Sequence, residues 1–149
     1  MSLQASCTPA QWRTLQFGPL WVFHAVASAD EKIDDQEVAA LATELQEAEL
    51  FKEPIVREVL TSVAGDLTNV MQLYKADTRT VVQGLQEIAD ILDQVATSEQ
   101  AQNYKGAMLL IGRKVAEASG GFLGLGSKIS EKEKIALAGV ALALRAITV

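Results

Sequence analysis

One cysteine, one histidine and three prolines are all that these 149 residues hold of each type, and each scarcity removes a class of chemistry. Cys7 has no second thiol for an intramolecular disulfide and no CxxC neighbour for redox exchange. His24 lacks the Glu three residues earlier that a ferritin-like dimetal site needs on two helices, because that position is Trp21. No credible nucleophile accompanies it for a catalytic triad, and it is expected on a helix surface or as a satisfied half-buried residue. A basic start followed by a long apolar stretch is missing, so no secretory signal is expected. The longest apolar run, Ile135 to Leu144, is ten residues, about half of what a bilayer demands. Valine and isoleucine never alternate with polar residues over a strand length, so no sheet is expected.

Basic charge is also scarce, with 13 Lys and Arg against 19 Asp and Glu. Nucleic-acid binders present a dominant basic face, so no nucleic-acid partner is expected. The acid is unevenly placed. Residues 1–60 carry ten acids and four bases, and residues 61–149 carry nine of each. Residues 30–49 alone hold eight acids and one base, whereas 101–134 hold six bases and three acids.

What is present points to an all-α protein. Apolar residues make up 49% and charged residues 21%, a globular balance in a chain of one-domain size, 1–149. Thr8-Pro9 opens a first helix to about Phe17, Gly18 stops it, and Pro19 starts another. Trp12, Phe17, Trp21 and Phe23 read as core packing. A helix from Asp34 to about Glu49 carries Val38, Leu41, Ala42 and Leu45 on one stripe. Pro54 opens a helix through Val63, Asp66 caps another through Tyr74, and Asp77-Thr78 starts the next. In that last one Val81, Leu85, Ile88, Leu92 and Val95 form the apolar stripe, while Glu87, Asp90 and Asp93 face solvent. Ser98-Glu99 begins a helix with Tyr104, Met108, Ile111 and Val115 buried. Its Gly106 and Gly112 are expected where another helix approaches closely. Gly120 to Ser127 reads as a glycine-rich mobile loop, with Gly126-Ser127-Lys128 in the wrong order for a P-loop. The last helix, from Ser130, is apolar nearly all round and is expected to be the central element.

One stretch recurs. Lys32-Ile33-Asp34-Asp35-Gln36-Glu37 is answered 96 residues later by Lys128-Ile129-Ser130-Glu131-Lys132-Glu133. Asp34 and Ser130 suit N-caps, and Glu37 and Glu133 stand three residues on, the spacing of a capping box. Capping accounts for two of the five carboxylates packed into Asp30–Glu37. Like charges so close repel, and an oxygen-seeking cation such as Ca²⁺ or Mg²⁺ would relieve them. The stretch is not an EF-hand, since counting from Asp30 the sixth position is Asp35 instead of Gly and the twelfth is Leu41 instead of Glu.

Val26-Ala27-Ser28-Ala29-Asp30-Glu31-Lys32-Ile33-Asp34-Asp35-Gln36-Glu37 resembles the A-x-A-D-G-x-h-x-x-x-E signature of TerB-like proteins, named for tellurite resistance. Ile129-Ser130-Glu131-Lys132-Glu133 with Leu137 is similar to that family's second motif; Glu31 departs from the first signature by replacing the usual Gly, and the second copy has Ser119 where an Asp could stand. The resemblance covers roughly Trp12 to Leu144. It implies a single helical domain of about seven to eight helices in two related halves, with Asp30, Asp34, Glu37 and Glu133 brought together at an acidic junction. It further implies a cytoplasmic stress-response module without catalytic machinery that binds a divalent cation or protein partners. Related domains occur in membrane-linked co-chaperones, so peripheral membrane association is compatible with it, while no transmembrane segment is expected. The competing readings are a protein-interaction or scaffold domain with no ion dependence, and an enzyme using paired carboxylates for acid–base work.

Overall fold

Pro19 sits inside an unbroken helix, the second of seven that the computed structural model shows among the residues it describes, 3–27, 54–122 and 131–146. In order these are α1 (Leu3–Ser6), α2 (Pro9–Ala27), α3 (Pro54–Gly65), α4 (Leu67–Ala76), α5 (Val81–Val95), α6 (Ser98–Phe122) and α7 (Glu131–Ala143). The described residues form no strand, and the architecture is all-α. Of the loop expected over Gly120–Ser127, residues 120–122 instead continue α6; residues 123–127 and the helix over Asp34–Glu49 lie outside the described residues.

The sequence reading breaks α2 at Gly18, but the helix runs through. A proline inside a helix removes one N–H, the one that would reach the carbonyl four residues back, here Leu15. That carbonyl is not orphaned, because the Tyr104 hydroxyl of α6 donates to it at 2.6 Å. Gly18 makes the approach feasible, since a Cβ there would collide with the Tyr104 hydroxyl oxygen. Gly18 and Pro19 together are therefore a docking notch for α6, not a break.

The same helix takes the central place. α2 touches α3, α4, α5, α6 and α7, and buries Trp12, Leu15, Phe17, Leu20, Trp21, Val22, Phe23 and Val26. At about 25 cal/mol per Å² and 150–250 Å² per aromatic, each such ring contributes roughly 4–6 kcal/mol of transfer free energy before entropy is charged against it. α7, expected to be central, buries one side only. Val140, Ala141, Ala143 and Leu144 face the core, whereas Ile135 is 71% and Leu142 67% exposed. Neighbours α2, α5 and α6 cover one face of α7, and the other face leaves Lys132, Lys134, Ile135, Ala138, Gly139 and Leu142 exposed.

Close helix approaches are set by glycine. A Cβ at Gly84 of α5 would fall on the indole of Trp21, and one at Gly112 of α6 would meet Leu137 at 2.7 Å and Val22 at 3.0 Å. Gly112 thus lies where α2, α6 and α7 converge, as expected, while Gly106 has nothing within 4 Å.

Three helix starts share one device. In Thr8/Gln11, Thr80/Gln83 and Thr97/Gln100 the threonine hydroxyl accepts from the glutamine N–H at 3.1 Å. The glutamine side chain accepts in return from the threonine N–H at 2.9–3.0 Å. These reciprocal boxes begin α2, α5 and α6. They correct two sequence-based starts: Thr80, not Asp77-Thr78, caps α5, and Thr97, not Ser98, caps α6. At α4 Asp66 occupies the N-cap position but its side chain makes no cap bond; it accepts instead from the Asn69 amide at 3.0 Å.

Candidate functional site

The four residues between α4 and α5 carry the densest polar geometry among the described residues. Asp77 follows α4 in extended conformation, and its Oδ1 accepts from the Arg79 N–H at 2.9 Å, a turn that aspartate builds with its own side chain. This folds Arg79 back on Asp77, where Nε and Nη2 both donate to the carboxylate, the latter at 2.7 Å. The other arm, Nη1, reaches Glu87 at 2.8 Å and the Thr14 hydroxyl at 3.0 Å. Thr14 in turn donates to the Ala10 carbonyl at 3.1 Å. The guanidinium lies over the Trp21 ring with its carbon 4.9 Å from the centroid, a cation–π placement. One arginine therefore ties α2, the α4–α5 connection and α5 together.

Electrostatics follow the geometry. The hydrogen bonds from Arg79 hold the Asp77 carboxyl below its ordinary range, against the opposing effect of burial. The Asp77 bonds, then those of Glu87, raise the Arg79 guanidinium in return, so it stays charged. Burial, with the Asp77 charge second, pushes Tyr74 up to about 12. Phe17, Trp21 and Tyr74 meet edge to face beside this knot, with centroids 5.5–6.1 Å apart.

Two clefts have both Asp77 and Arg79 in their lining. One, of about 640 Å³, is mixed in character, with Gln11, Arg13, Thr14, Glu87, Asp90 and Gln94 around Phe17, Leu73 and Ile91. The other, of about 770 Å³, lies between α2 and α4. Leu20, Trp21, Phe23, Met71, Tyr74 and Val81 line it, with His24, Lys75 and Thr80 among its polar residues. His24 is exposed, the first of the two placements the sequence left open.

Of the residues expected to form an acidic junction, Asp30, Asp34 and Glu37 lie outside the described residues, as does the side chain of Glu133. The backbone of Glu133 is placed, in the first turn of α7. Among the described residues no three His, Cys, Asp or Glu side chains come together as a metal site would need.

The carboxylates read as a solvated face on α5 are exposed but engaged. Glu87 binds Arg79, and Asp90 and Asp93 both accept from Arg145 at 2.9 Å. Arg145 has a positive φ of 54°. Its N–H bonds Leu142 O, and the Ala146 N–H bonds Ala141 O, the paired closure that ends a helix on a left-handed residue. No sequence signal marked it, because glycine normally stands there.

No family model matches the chain, and no solved structure does. The chain is similar to the uncharacterized protein ORF11' of Methanothermobacter thermautotrophicus, with 27% identity over 123 residues covering 81% of this chain and 82% of that protein. No helix of the described residues is long and apolar enough to cross a membrane.

Proposed function

We propose that this chain is a non-catalytic, TerB-like binding module of the stress-response type. It takes a divalent cation, Ca²⁺ or Mg²⁺, or a basic protein surface at an acidic junction of Asp30, Asp34, Glu37 and Glu133. The observation that supports this reading is the start of α7 at Glu131, directly after Ser130. The recurring motif calls for a helix N-terminus there, with Glu133 at its third position, where a carboxylate faces the positive end of the helix dipole. Five carboxylates within Asp30–Glu37 supply the charge a hard cation needs.

Thermal unfolding with and without Ca²⁺, Mg²⁺ and Zn²⁺ tests the proposal. A cation held at 100 times its Kd adds about 2.7 kcal/mol, and Asp30→Asn with Asp34→Asn should abolish the gain. An unchanged midpoint in the parent at millimolar metal removes the cation branch.

A second reading, a protein-interaction domain without ion dependence, draws on α7. Ile135 and Leu142, with Ala138 and Gly139 between them, leave an exposed apolar face of the kind that partners cover. Under that reading metal has no effect, and Glu133→Gln costs at most about 1 kcal/mol of helix capping.

A further inference from the structure

The cleft between α2 and α4 combines three features that the acidic junction does not explain. Its volume, about 770 Å³, is within the range that encloses a small organic ligand. Its walls are mainly apolar, with Trp21, Met71 and Val81 among them. Two basic side chains, His24 and Lys75, also line it, both exposed, and neither forms an ion pair among the described residues.

The guanidinium at this cleft, Arg79, behaves differently. Asp77, Glu87 and Thr14 occupy it, and Asp77, the one carboxylate lining the cleft among the described residues, is itself bound by Arg79. Among the described residues, Lys75 therefore has no carboxylate partner beside this apolar hollow, on a chain whose net charge is −6. A place in the last turn of α4 suits a cation because of the helix dipole. That accounts for the sign of Lys75 but not for the hollow it overlooks.

We propose that this cleft binds a small amphiphile with one anionic head and an apolar body, a medium-chain carboxylate being the simplest case. The head pairs with Lys75 and His24, and the body lies against Trp21 and Met71. The Asp77–Arg79 pair closes one side and, being already satisfied, presents no free carboxylate to repel the head. This inference stands apart from the acidic junction and survives if that junction binds nothing.

Calorimetric titration of the full chain with decanoate, decylammonium and decanol, each below its micelle concentration, tests it. Decanoate should bind saturably at one site, with decylammonium and decanol weaker by about tenfold or more, the effect of one charged contact. Lys75→Glu, a surface change that leaves the fold intact, should weaken decanoate by about tenfold and cancel its advantage over decylammonium. Met71→Trp, which fills the hollow, should abolish binding of all three. Equal binding of the three probes, no saturable decanoate site, or an unaltered decanoate affinity in Lys75→Glu would overturn the proposal.

Discussion

The Tyr104 hydroxyl bonds the Leu15 carbonyl at 2.6 Å, and that carbonyl is the one Pro19 leaves without a helical donor. The two features form a unit: α2 gives up an internal hydrogen bond, and α6 supplies its replacement from 89 positions away in sequence. Tyr104 is fully buried, so its hydroxyl has no water to fall back on. Tyr104→Phe should therefore destabilise by about 1–3 kcal/mol, the cost of an unsatisfied buried acceptor. Adding Pro19→Ala to that variant restores an N–H to Leu15 O and should recover part of the loss. Urea unfolding of the four members of this double-mutant cycle measures the coupling.

Glycine positions separate by what surrounds them. Gly84→Ala places a methyl on the rigid Trp21 indole and should destabilise by about 1–3 kcal/mol. Gly106→Ala enters open space and should stabilise by up to about 1 kcal/mol through helix propensity. Thermal unfolding of both variants should show midpoints moving in opposite directions.

Asp77 governs an acid limb. Its carboxyl is depressed in the folded state, so its contribution is present above the unfolded carboxylate range, near pH 4. That contribution is lost as pH falls through the lower, folded value. Asp77→Asn should flatten the stability profile below about pH 4, measured by urea midpoints across the acid range, and should leave Arg79 short of its strongest partner at neutral pH.

Both tyrosines resist ionisation. Tyr74 is pushed up to about 12, and burial raises Tyr104 further. A free phenol ionises near pH 10, so the native protein should show little tyrosinate absorbance there. Stability is intact below that pH and declines above it, as the unfolded chain gains charge that the folded state refuses. Absorbance and circular dichroism should therefore change together on the alkaline side.

Arg145 sets backbone strain against ion pairs. A left-handed non-glycine residue costs roughly 1–2 kcal/mol, while exposed pairs such as those to Asp90 and Asp93 return about 0–1 kcal/mol each. Arg145→Gly removes both and should leave stability within about 1 kcal/mol of the parent. Arg145→Ala keeps the strain without the pairs and should be the least stable of the three. Melting temperatures at low and high salt check the order.

Helix content and most of the core were readable because apolar spacing survives into the fold. The stripe Leu85, Ile88, Leu92 and the set Tyr104, Met108, Ile111, Val115 are all buried. The roles of Gly18 and Pro19 were not readable, because local rules treat that pair as a break and the compensating donor comes from a distant helix. α7 misled for a related reason: an all-apolar composition says a helix can be buried on every side, but only its neighbours decide how many sides are. At the Arg79 knot, Asp77-x-Arg79 followed by Thr80-x-x-Gln83 was a usable signal for a turn and then a cap, and it was read as one helix start. Of the acidic junction, the helix start at Glu131 is the part the structure describes.

The reciprocal threonine–glutamine clasps at the heads of α2, α5 and α6 have no proton to release and no net charge for electrolyte to shield. Acid or brine leaves those three beginnings as they are. Among the described residues, sensitivity to acid and salt belongs to the ion pairs at Arg79 and Arg145, and sensitivity to alkali to the two tyrosines. Those groups set where the protein yields first when its surroundings change.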